Sequence, residues 1–194
     1  MPGDARRERS SAGGGGREPV AGAAQPTIGA VDGPTAGPAG RSVLIVGYGN
    51  PLRGDDGLGL EAAELLAGDP RLRGAQVLWR QQPTPDLAAD FKDASLVVLI
   101  DVNVVAEPGV VSVVRLDPSR RSTSSSSHHV DPADLLALAH ELYGASPAVF
   151  VVSAGAATLE TGEGLSHALQ RALPSVVEAV VAIVAGHSGP RPVD

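Results

Sequence analysis

SVLIVGYGNPLRGDDGLGLEAAELLAG, from Ser42 to Gly68, decides the fold. Its first residues form a short apolar run rich in β-branched side chains and stopped by Gly47, the pattern of a strand buried on both faces. A polar, glycine-rich loop follows. Leu58, Leu60, Ala62, Ala63, Leu65 and Leu66 then recur at helical spacing until Gly68 ends the pattern. A two-face-buried strand that feeds a loop and then a helix is the opening of a βαβ unit, so this strand is expected at the centre of a parallel sheet.

The rest of the chain repeats that logic. QVLWR (Gln76 to Arg80) reads as a second strand, Asp86 to Phe91 as a short helix and SLVVLIDV (Ser95 to Val102) as a third strand. GVVSVVRL (Gly109 to Leu116) comes too soon afterwards for a helical crossover, so it is expected to turn back as an antiparallel edge strand. After the polar loop DPSRRSTSSSS, Asp131 is a good N-cap with Pro132 at the first helical position, and Leu135, Leu136, Leu138, Ala139 and Leu142 give the helix its apolar face. AVFVVSAG (Ala148 to Gly155) is another buried strand. The last helix is expected over Ser166 to Ala185, with Leu169, Leu173, Val176, Val177, Val180, Val181 and Val184 inward and Pro174 bending it. The fold class is therefore α/β, a three-layer α/β/α sandwich around a mixed, mostly parallel five-stranded sheet.

Upstream the polymer is different. Ten of the 24 glycines and five of the 16 prolines fall in the first 40 positions. Residues 1 to 41 carry no aromatic residue, no apolar run and no period, and they read as a disordered tail. The folded domain is expected over 42 to 187, with 188 to 194 as a flexible C-terminus. Arg6 and Arg7 look like a twin-arginine signal, but no apolar stretch follows them, and no run of about 18 apolar residues occurs; a cytoplasmic protein without a membrane span is expected. With no cysteine, a disulfide framework, a thiolate zinc or iron-sulfur site and a cysteine nucleophile are excluded. The formal charge of -7, without a concentrated basic face, argues against nucleic acid as a partner.

In doubly wound sheets ligands bind beyond the carboxyl ends of the strands, near the switch in strand order. That rule selects the Gly47 to Gly59 loop with Asp55 and Asp56, Asp101 at the end of an apolar run, and the His128–His129 pair just ahead of a helix. Each has a plain alternative. Either aspartate of the loop is equally well a helix cap, Asp101 equally well binds a loop amide, and a Ser-rich loop bearing two histidines is more often solvated. Together they supply carboxylate and imidazole ligands suited to a divalent ion. Asp55 is read as the cap of the following helix and Asp56 as the chemical residue. His140, His167 and His187 are left out of the site.

A dinucleotide fingerprint fails because Leu52 stands where its third glycine belongs and Arg80, Gln81 and Gln82 replace the acid after the second strand. The phosphate-loop sequence and the Gly-x-Ser-x-Gly elbow are both absent.

GYGNPLRGDDGLG after VLIV, then SLVVLIDV, SSHHVDPADLLALA and ETGEGLSHAL, in that order and spacing, closely resemble the hydrogenase maturation endopeptidases. The resemblance covers Ser42 to about Gly186. It implies an aspartic-type, nickel-dependent peptidase that removes the C-terminal extension of a nickel-iron hydrogenase large-subunit precursor after nickel insertion. It further implies that Asp56, Asp101 and His128 are the metal-contacting and catalytic residues, with His129 the rival of His128. Nickel would come with the precursor, and no organic cofactor is implied. Thr84 matches the family's threonine after the second strand, whereas Gln81, Gln82 and Pro83 depart from its commoner acidic and glycine residues. A monomer is expected. Two other readings stand beside this one: a non-catalytic metal-binding maturation chaperone, and a nucleotide-binding domain.

Overall fold

The computed structural model describes residues 42 to 117 and 130 to 188. The first 41 residues and the last six lie outside the described residues, as do His128 and His129. Five strands, β1 (Val43–Tyr48), β2 (Ala75–Arg80), β3 (Leu96–Pro108), β4 (Val111–Arg115) and β5 (Ala148–Gly155), form one sheet in the order β2-β1-β3-β5-β4. The β1–β2, β1–β3 and β3–β5 pairs are parallel and β4 runs antiparallel to β5, so the sheet is mixed and mostly parallel, as expected.

Period-two alternation sends the side chains of each central strand to two cores. Val43 and Ile45 of β1, with Leu96, Val98 and Ile100 of β3, pack under helices α1 (Leu58–Ala67) and α4 (His167–Ser188). Leu44 and Val46 with Val97 and Leu99 face α2 (Leu87–Asp90) and α3 (Pro132–Tyr143) on the other side. This is the three-layer sandwich read from the sequence. Helix α3 starts as expected, the Asp131 carboxylate accepting from the Ala133 amide at 2.8 Å with Pro132 at the first position.

By length and composition α4 would suffice to cross a membrane. Here Leu169, Ala172, Val176, Val180 and Val184 put its apolar stripe into the core, which is the situation of a core helix.

The return strand β4 is the antiparallel edge strand expected, paired with β5, which lies between it and β3. Three expectations need correction. Strand β3 itself continues past Val102 to Pro108. Leu65 and Leu142, which share their helices' apolar periodicity, are exposed. Finally α4 runs to Ser188, so His187 lies within the helix, where its Nε2 is 3.0 Å from Ser95 Oγ.

Candidate functional site

Strand order reverses between β1 and β3: the chain steps from β1 to β2 on one side and crosses to β3 on the other. A crevice must open at that point, because the connections leave the sheet in opposite directions. It is a cleft of about 450 Å³ whose lining includes Tyr48, Arg53, Asp56, Asp101, Asp131 and Leu159.

The loop after β1 is built to place Asp56. Gly49 has φ +133, and a Cβ there would stand 1.9 Å from the Asp56 carbonyl oxygen, so only glycine lets the loop close on itself. One turn earlier the end of β1 meets the start of α1 so closely that a Cβ on Gly47 would stand 1.9 Å from the Gly59 carbonyl oxygen. The Asn50 side chain accepts from the Leu52 amide at 3.0 Å, and the Asn50 amide donates to Asp56 Oδ2 at 3.0 Å. Asn50 therefore fixes the loop with its side chain and the carboxylate with its backbone.

Asp101 follows the buried run Leu96 to Ile100 and emerges where that strand leaves the core. Its Oδ1 accepts from the Val102 amide at 2.7 Å. Burial pushes its pKa up to about 7, with repulsion from Asp56 adding to the rise and the Val102 hydrogen bond opposing it. Two carboxylates thus share the cleft, and one of them exchanges its proton near neutrality. Tyr48, at the end of β1, is 4% exposed; burial and then the charges of Asp101 and Asp131 hold its phenol well above its ordinary pKa, so it stays an O–H donor.

The two carboxylates predicted from the sequence are brought together. His128 is outside the described residues, which resume at Val130 in the cleft wall. Among the described residues no group of three or more His, Asp and Glu side chains is placed to hold a metal ion. Gln81, Gln82 and Pro83 line the cleft; Thr84 uses its carbonyl to accept from the Leu87 amide and start α2. Tyr48, Asp131 and Leu159 were missed as cleft residues. Tyr48 lies inside the glycine motif, and Asp131 was seen only as the cap that it also is. Leu159 gave no signal, since nothing local marks a loop residue that reaches a site built by β1 and β3.

The expected capping role of Asp55 is overturned. No side chain caps α1 or the turn of 3₁₀ helix, Gly54–Gly57, ahead of it. Asp55 points away from the cleft, fully buried, and accepts from Ala157 and Ser166 at 2.7 Å each and from Thr158 at 3.1 Å. Burial raises its pKa, but these hydrogen bonds outweigh it and hold the carboxyl below the ordinary aspartate value. A larger hollow of about 520 Å³ lies between α1 and α4, lined in part by Leu65, Pro70 and Pro174. Its charged residues are engaged with one another, Arg71 bridging Asp69 and Glu178, so it offers no free group for chemistry.

The hydrogenase maturation protease family matches residues 83 to 183, just over half of the chain, a span that holds Asp101 and His128 and begins after Asp56. Among solved structures, the hydrogenase maturating endopeptidase HybD from E. coli is 22% identical, with a TM-score of 0.66 over 76% of this chain and 94% of that one. The [NiFe] hydrogenase maturation protease HycI from Thermococcus kodakarensis is 20% identical, with a TM-score of 0.58 over 74% and 92%. A hydrogenase 2 maturation peptidase from a Thaumarchaeota archaeon is 24% identical, with a TM-score of 0.57 over 75% and 99%. At these identities the structures establish the shared fold. A search of curated proteins finds no match.

Proposed function

Because the chain belongs to the hydrogenase maturation protease family, we propose that it removes the C-terminal extension of a nickel-iron hydrogenase large-subunit precursor once nickel has been inserted. The observation that carries this reading is the pairing of Asp56 and Asp101 in one cleft at the sheet's switch point, within a fold shared with known maturation peptidases. Nickel arrives as part of the substrate. Asp56, Asp101 and His128 are the residues that would contact it, two carboxylates and an imidazole leaving positions open for the precursor's own ligands.

The chemistry asked of this chain is modest. A carboxylate takes a proton from the attacking water and returns one to the leaving amine. In the metal-free cleft burial raises the Asp101 pKa to about 7, and a cation arriving with the precursor would favour its ionised form, the form that acts as base. Asp56, fixed by the Asn50 amide, is the second ligand and the charge that helps keep the Asp101 pKa high. The Tyr48 phenol and the Arg53 guanidinium, also in the lining, are donors available to a carbonyl oxygen. This reading puts the reaction in the cytoplasm, on a monomer, with no organic cofactor.

Nickel-loaded and nickel-free precursor, offered in parallel and followed by gel mobility, test the role of the metal. Cleavage of the loaded form alone is expected. Equal cleavage of both forms would remove nickel from the recognition step.

A further inference from the structure

The loop after β5, which brings Leu159 into the cleft lining, is tied by several hydrogen bonds to the loop that carries Asp56. Asp55 makes the tie. Its Oδ2 accepts from the Ala157 and Thr158 amides and its Oδ1 from the Ser166 amide at the start of α4. Its own amide donates to the Thr158 carbonyl at 3.2 Å. Beside it Gly54 donates to the Gly162 carbonyl at 2.9 Å, and Gly162 donates back to Leu52 at 3.0 Å. The loop after β1 and the loop after β5 therefore move as one piece. The first presents Asp56 to the cleft and the second presents Leu159.

We propose that Asp55 is the positioning residue of this cleft: it touches no substrate, and through the two loops it joins it sets where Asp56 and Leu159 stand relative to Asp101. The proposal rests on the peptidase reading above for its effect on turnover, though not for its geometry. Asp55 and Asp56 are consecutive in the 3₁₀ turn Gly54–Gly57, where successive side chains are about 120° apart, so holding Asp55 inward fixes the different direction in which Asp56 leaves the turn. Only a carboxylate fits the inward place. It offers acceptors on both oxygens to three amide donors, whereas an amide side chain has one acceptor and would turn its NH₂ group against an N–H.

The test is Asp55→Asn, assayed at a temperature where circular dichroism shows the variant fully folded. Turnover of the nickel-loaded precursor is expected to fall by about 10- to 100-fold, the usual consequence of misplacing a reacting group by an ångström or so, with KM within about twofold. The second readout is the Asn50 amide in a ¹H–¹⁵N spectrum, which donates to the Asp56 carboxylate and is expected to shift upfield as that bond lengthens. A residue that only adds stability would lower the melting temperature and leave both readouts alone.

An unshifted Asn50 amide, or wild-type turnover in the folded variant, overturns the proposal. If Asp55→Asn does not fold, Ser166→Ala, which removes the hydroxyl that also donates to Asp55, carries the same two readouts with a smaller expected change; no change in either overturns it. If the wild-type protein cleaves nothing, the peptidase reading falls on that result, while the Asn50 shift still decides whether Asp55 positions Asp56.

Discussion

Asp101→Asn should make the protein more stable, and only above a certain pH. The carboxyl of Asp101 has a pKa of about 7 in the folded protein against 3.8 for an ordinary aspartate. As pH rises between those values the unfolded chain gives up the proton while the folded chain keeps it. The unfolded state then binds fewer protons, so stability falls across this window and levels off above about 7. At 1.36 kcal/mol per pH unit the ceiling is about 4 kcal/mol. The cleft is open to water, which screens both the burial and the Asp56 charge, so a loss of about 1–2 kcal/mol is the expected size. Asparagine is neutral throughout, and its Oδ1 can still accept from the Val102 amide. Urea denaturation of both proteins, without precursor or metal, between pH 4 and 8 measures the effect as the difference between the two stability curves. That difference should be near zero at pH 4 and reach about 1–2 kcal/mol in favour of Asp101→Asn at pH 8. Parallel curves across the range would refute the claim that burial and Asp56 raise this pKa.

Other outcomes follow from the same site. Asp56→Ala and Asp101→Ala should each abolish precursor processing without unfolding the protein, as measured by gel assay beside a thermal melt. His128→Ala should do the same and His129→Ala should not; the reverse result would exchange the two histidines. Gly47→Ala drives a Cβ into the Gly59 backbone, where no side chain can yield, and should cost about 3 kcal/mol in urea denaturation.

The sequence carried the site wherever the signal was local. A two-face-buried strand ending in glycine, a second apolar run ending in Asp101 and a βα order that forces a switch point were enough to place Asp56 and Asp101 at one crevice. Asp131 as a cap was legible because capping is decided within three residues. What was lost depends on distant partners. The amides that claim Asp55 lie more than 100 residues downstream, so its carboxylate looked like that of any residue ahead of a helix. Periodicity gave the helices and most of their buried faces but not the margins, so Leu65 and Leu142, which continue the apolar spacing, stand in solvent.

The proposed function comes down to the cutting of one peptide bond. Intact-mass spectrometry of a nickel-loaded large-subunit precursor, before and after incubation with the protein, tests it directly. A mature large subunit lighter by the mass of its C-terminal extension is expected, together with the released peptide. A precursor of unchanged mass, bound tightly to the protein, would contradict it and leave a maturation chaperone in its place.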